Sequence, residues 1–211
     1  MTSWRQATNL VAIDLEGSGA QDGPDEAILE IAAVRLINGQ PDTATAYCTL
    51  VNPGRTIPIR HYTSPGITNQ ALAAAPDLDA ITTDLTRRLA GTYLVGHNVG
   101  VDWRLIHRRF PVLQIAGVVD TYRLARAMAP GSKNSLAALI ERRGLAEQVS
   151  GAAPTSRPHR ALWDAVAAAV LLDSLVRERW PTDPDLAELL DAASVPQRRP
   201  VADHQVATLF D

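Results

Sequence analysis

Asp14 and Glu16 sit two residues apart at the end of an apolar run, Leu10-Val11-Ala12-Ile13. Alternate side chains of a strand share a face, so these two acids project together and Leu15 points the other way. Adjacent ionised carboxylates repel unless a cation lies between them, and burying them unpaired is costly. Asp102 and Asp164 raise the same difficulty, because each falls on the apolar face of a predicted helix. Hard divalent cations such as Mg²⁺ or Mn²⁺ prefer carboxylate oxygens. Four acids brought together around such ions could activate water and stabilise an anionic transition state.

Each acid also has a plainer reading. Asp14 and Glu16 could end a solvated strand before a glycine-rich turn. Asp102 shares a helical face with Leu105, Ile106 and Arg109, close to the helix N-terminus. The dipole favours an anion there, so simple capping is an alternative. Asp164 shares a face with Ala161, Ala165, Ala168, Leu171, Leu172 and Leu175, and a buried pair with arginine would also account for it. The alanines allow close approach of helix to sheet. His159 precedes Asp164 by five residues, a rotation of about 140° on a straight helix. It therefore belongs at the start of that helix, after Pro158, swung over a site whose base holds Asp164.

The elements that must position these residues are legible in outline. Residues 9–16, 28–37 and 44–51 read as strands forming an antiparallel meander, with Asn38-Gly39 as a hairpin signal. Proline keeps the chain irregular from 53 to 66. Helices are expected over 68–75 and 78–89, the latter capped by Asp77. A strand at 93–95, a helix at 100–110, a strand at 117–120 and helices near 121–128 and 135–143 follow. Residues 150–158 read as a loop, 160–179 as a long helix, and 186–190 as a short one. Meander strands followed by alternating helices and strands predict an α/β fold with a mixed sheet.

The chain has 211 residues, 46% hydrophobic and 20% charged, with a net charge of −3. That suits a folded globular unit and carries no global signature of nucleic-acid binding. The arginine clusters (87–88, 104–109, 142–143, 157–160) read as solvated helix faces. Cys48 is the sole cysteine, so no intrachain disulfide forms. No signal-type leader or membrane-length apolar run is present, and a cytoplasmic protein is expected.

In order, the motifs are Asp14-Leu15-Glu16-Gly17-Ser18-Gly19, Gly96-His97-Asn98-Val99-Gly100-Val101-Asp102 and His159-Arg160-Ala161-Leu162-Trp163-Asp164-Ala165. Gly66-Ile67-Thr68, Asp120-Thr121 and Ser135-Leu136-Ala137-Ala138-Leu139 lie between them. Over residues 9–178 this pattern resembles the DEDDh, or DnaQ-like, exonucleases. The resemblance implies an RNase H-like fold, with a five-stranded mixed sheet whose second strand is antiparallel. It implies phosphodiester hydrolysis from the 3′ end of single-stranded DNA, or alternatively of RNA, releasing nucleoside 5′-monophosphates.

The resemblance further implies two divalent metal ions, Mg²⁺ or Mn²⁺, held by Asp14, Glu16, Asp102 and Asp164, with His159 as the water-activating base. Leu15, Gly17, Ser18, His97 and Asn98 would contact substrate. Gly17-Ser18 departs from the Thr-Thr usual in the family, and Val101 replaces a common aromatic residue. Trp103 and Trp163 could stack on a base, but core packing is the plainer role. Residues 1–180 would form the catalytic domain and 181–211 a helix and flexible tail. Gln205 to Phe210 loosely resembles peptides that bind the bacterial sliding clamp.

Overall fold

A computed structural model describes residues 3–58 and 64–194. The clamp-like segment Gln205 to Phe210 lies outside the described residues. The sheet is built on β1 (Leu10–Gly17), which is flanked by β2 (Ile28–Ile37) on one side and β5 (Tyr93–Gly96) on the other. β2 is antiparallel to β1, whereas β5 and then β6 (Gly117–Asp120) continue in parallel. β3 (Gln40–Pro41) and β4 (Tyr47–Leu50) both pair with β2, at different points along it.

The sheet therefore has six strands, not the five expected. The additional strand is the two-residue β3. Asn38 and Gly39, with φ of 52° and 76°, make the tight turn that folds it back on β2. A 3-10 turn over Thr43–Thr45 then delays β4 to Tyr47, later than the expected start at 44.

Strand alternation divides the core. Leu10, Ala12, Ala32, Val34 and Leu36 face α7 (Ala161–Arg179). Val11, Ile13, Ile31 and Ala33 face the other layer, α2 (Leu78–Leu89) and α3 (Gly100–Arg109). By the same alternation Asp14 and Glu16 point toward α7.

α7 is more enclosed than a single inward face would make it. Residues Ala165 to Asp173 are all buried. α4 (Thr121–Met128), α5 (Leu136–Arg142) and α6 (Ala146–Ala152) cover its outer side. A helix apolar nearly all round is a buried one. α6 is not evident in the sequence, where Ser150 and Gly151 lower helix propensity. Val149, fully buried in the cluster around α7, outweighs that preference. α1 (Asn69–Ala73) is capped by Thr68.

α8 (Leu186–Ala193) starts with a capping box between Asp185 and Glu188. Its Leu189 and Ala193 are fully buried in the same cluster as α7, so the segment just past 180 packs into the main core. Among the described residues, no helix is long and apolar enough to cross a membrane.

Candidate active site

Parallel pairing of β1 with β5 runs only from Leu10↔Tyr93 to Ala12↔Val95. Beyond Ala12, β1 continues with β2 alone, and its last turn of chain carries Asp14 and Glu16 into the crevice left at the end of β5. Such crevices, outside the carboxyl ends of parallel strands, are where α/β sheets bind ligands.

Asp164 enters from the first turn of α7. Fully buried Ala161 and Ala165 flank it and let the helix lie close to β1. Carboxylate oxygens of Asp14, Glu16 and Asp164 come within 4.8 Å of one another. All three residues are half-buried.

Asp102 arrives from the opposite layer, in the first turn of α3. Its Oδ1 accepts the Leu15 amide at 3.0 Å, between the two strand acids in sequence. It is close enough to Asp14 for their charges to interact. The four acids expected to act together are thus at one strand end, three of them in the tight cluster and Asp102 beside it.

His159 sits in a turn with φ of +64°, two residues before α7 begins. Its side chain is exposed, and its backbone N–H and imidazole both favour the ionised form of Asp164. His159 thus stands at the entry of α7, with its backbone N–H against Asp164.

The acids in this cluster oppose one another's ionisation. Burial raises the Asp14 pKa well above the usual carboxylate range, and Asp102, Asp164 and Glu16 push it further. Burial likewise drives Glu16 up to about 7, against the hydrogen bond from Ser64, and Asp164 up to about 6. Asp102 is raised too, with the Leu15 amide opposing burial. Carboxylates with this much mutual repulsion fit a divalent cation. Asp14, Glu16 and Asp164 would hold it, with Asp102 as the adjacent acid.

The expected substrate-contacting residues divide. Leu15 and Gly17 lie on the strand beside the acids, Leu15 half-buried and Gly17 exposed. Ser18 is turned inward: its Oγ accepts the Ala27 amide at 3.0 Å, and its own amide donates to Ala27 O. Asn98 is exposed, with φ of 62°, and its amide donates to Asp120 Oδ1 at 2.9 Å.

His97 uses both ring nitrogens within the protein. Nε2 lies 2.8 Å from Asn134 O, so it carries the proton, and Nδ1 lies 2.9 Å from the Thr121 hydroxyl, which also reaches Gly96 O at 3.1 Å. Burial lowers its pKa, which suits this neutral form. Val101 is 49% exposed at the rim beside Asp102. Trp163 is buried in the core, and Trp103 is half-buried against the α2–α3 layer.

Two contributors are absent from the sequence expectations. Ser64 is buried and donates a short hydrogen bond to Glu16 Oε2. Glu30, opposite Glu16 on β2, pairs with Arg160 just before α7. Glu30 had a sequence signal: one acid inside the apolar strand Ile28-Leu29-Glu30-Ile31-Ala32 demands a buried partner. Ser64 had none. The clustered arginines of α3 are engaged rather than free, with Arg104 and Arg108 pairing with Glu26.

Residues 11–172 match the RNase T exonuclease family. An epsilon-like DNA polymerase III subunit protein of Rhodobacter capsulatus is 32% identical over 163 residues, 75% of this chain and 22% of that protein. The 3′-5′ exonuclease DinG of Bacillus subtilis is 30% identical over 185 residues, 85% of this chain and 19% of that protein. The chain thus spans about a fifth of the length of these two relatives. Exonuclease X, solved with 5′ overhanging duplex DNA, superposes with a TM-score of 0.64 at 30% identity, covering 85% of this chain and 98% of that one. The family match over residues 11–172 and the likeness to these relatives together show that the chain belongs to the DnaQ-like DEDDh exonucleases.

Proposed function

We propose that this protein is a metal-dependent 3′–5′ exonuclease that removes nucleoside 5′-monophosphates from single-stranded DNA ends. The convergence of Asp14, Glu16 and Asp164 within 4.8 Å, with His159 at the α7 start, carries this reading. Asp14, Glu16, Asp102 and Asp164 would hold two divalent ions, Mg²⁺ or Mn²⁺. Such ions, when bound, supply a nucleophilic water at neutral pH and stabilise charge on the leaving oxygen.

The chain's own residues do the rest. His159 is exposed at a sharp turn, where a neutral imidazole can take the proton of an approaching water. Ser64 holds one oxygen of Glu16, which leaves the other for the shared centre. Leu15 and Gly17 form the strand surface over which the terminal nucleotide would lie. Asn98 and exposed Val101 border the same crevice, whereas His97 would act indirectly, by holding the backbone at Asn134.

DNA is favoured by the 30% identity to Exonuclease X, a protein solved on DNA. Purified protein with Mn²⁺ should shorten a 5′-labelled single-stranded DNA oligomer from its 3′ end faster than the matched RNA. Faster RNA cleavage would move the substrate to RNA, and cleavage that also occurs with Asp14→Ala would overturn the site. The tail from Gln205 to Phe210 is the candidate segment for a sliding clamp. Equal clamp retention with and without residues 204–211 would dismiss it.

A further inference from the structure

Helix α7 brings Asp164 to the site, yet it lacks a side-chain cap of its own, since the residue before it, Arg160, supplies none. The missing acceptor comes from β2. Glu30 Oε2 accepts the first helical amide, Ala161 N, at 3.1 Å. The same oxygen accepts Arg160 Nε at 2.8 Å, and Arg160 Nη2 binds Oε1, making a two-pronged ion pair. The Glu30 side chain is 3% exposed and that of Arg160 25%, so the carboxylate end of the pair is shielded from water.

Arg160 also reaches Pro65 O at 3.5 Å, beside Ser64, which holds Glu16. One guanidinium thereby joins three pieces of chain: the sheet opposite Glu16, the start of α7 and the 64–66 loop. His159 immediately precedes Arg160, and the Asp164 amide donates to Arg160 O at 3.0 Å. Every group delivered by α7 hangs from this one junction.

We propose that Glu30 and Arg160 are positioning residues that set the distance and orientation of Asp164 and His159 relative to Asp14 and Glu16. They would act through Asp164 and His159 rather than by holding metal or substrate themselves. This rests on the exonuclease reading for its catalytic consequence, but its effect on the acid cluster stands apart from it. A planar guanidinium matched to a carboxylate fixes orientation as well as distance, which a single point charge does not.

Glu30→Gln keeps the size and an acceptor for Ala161 while losing the ion pair. Calorimetric Mn²⁺ affinity should weaken about 10–100-fold, and kcat should fall similarly, with KM for a labelled DNA oligomer unchanged. Arg160→Lys should move both readouts the same way. Because a lone buried charge could unfold the chain, Glu30→Met/Arg160→Met serves as the companion variant. Apolar replacement of a buried pair is generally tolerated, so this variant, which also loses the acceptor for Ala161 N, should fold cooperatively with a melting point lowered by about a few degrees and still bind Mn²⁺ weakly.

Wild-type Mn²⁺ affinity and kcat in Glu30→Gln, or in the folded double variant, would overturn the proposal. A wild-type chain that binds Mn²⁺ but cleaves no nucleic acid would defeat the exonuclease reading while the affinity measurements still decide the role of Glu30.

Discussion

Asp14 and Asp164 illustrate how one geometry serves function at the expense of stability. Their raised pKa values mean that the folded chain holds protons that the unfolded chain would release. For Glu16 the window runs from its ordinary 4.5 to about 7. Within that range the metal-free protein binds more protons folded than unfolded, so its stability falls as pH rises. Melting curves in chelator should therefore show Asp14→Asn more stable than wild type at pH 8, by on the order of 1 kcal/mol or a few degrees. The difference should shrink toward pH 5. Mn²⁺ should reverse the order at pH 8, because only wild type retains the ligand. In the oligomer assay, Asp14→Ala and Asp164→Ala should each lose more than about 100-fold, beyond the cost of disturbing outer-shell groups. His159→Ala should lose about 10²-fold or more, the usual contribution of a general base.

The delivering elements depend on close approach. Gly96 ends β5 beside β1, and a Cβ there would lie 2.8 Å from Val99 Cβ and 3.0 Å from Ile13 O. Neither neighbour can swing away, since one is backbone and the other branches at Cβ. Gly96→Ala should therefore destabilise by about 1–3 kcal/mol in denaturant unfolding, as overpacking does. α7 makes a similar demand through small buried residues, Ala165, Ala168 and Ala169. The alanine pattern and the acid within it were visible along the chain, and so was the placing of His159 before the helix. The acceptor that starts α7 was not, because Glu30 and Ala161 are 131 positions apart. Ser18 shows the converse. It reads as a substrate contact by position, but the segment returning at Ala27 draws its hydroxyl inward.

At the scale of the molecule, two helical layers enclose a sheet and leave one end open, where β1 outruns β5. The two layers each contribute acid: α7 from one face and α3 from the other. A ligand bound there ties both layers to the sheet in the folded state alone. Divalent metal at about 100 times its dissociation constant should therefore add about 2.7 kcal/mol to unfolding stability. A chelator titration followed by thermal melting checks this, with loss of nuclease activity expected in parallel.

Local periodicity determined much on its own. Alternation in β1 assigned Asp14 and Glu16 to one face, and the bounds of β2, α2, β6 and α4 follow from apolar spacing and caps. The resemblance of the acidic motifs to the DEDDh exonucleases implied a metal-dependent nuclease. Tertiary structure alone decided what depends on distant partners. It recruited the two-residue β3 to the sheet, made α6 a helix against α7, and engaged both ring nitrogens of His97 within the protein. It also joined Glu30 to Arg160. Periodicity is a property of neighbours along the chain. The partner of a buried charge or an unsatisfied amide is chosen by packing, and packing exists only once the layers have met.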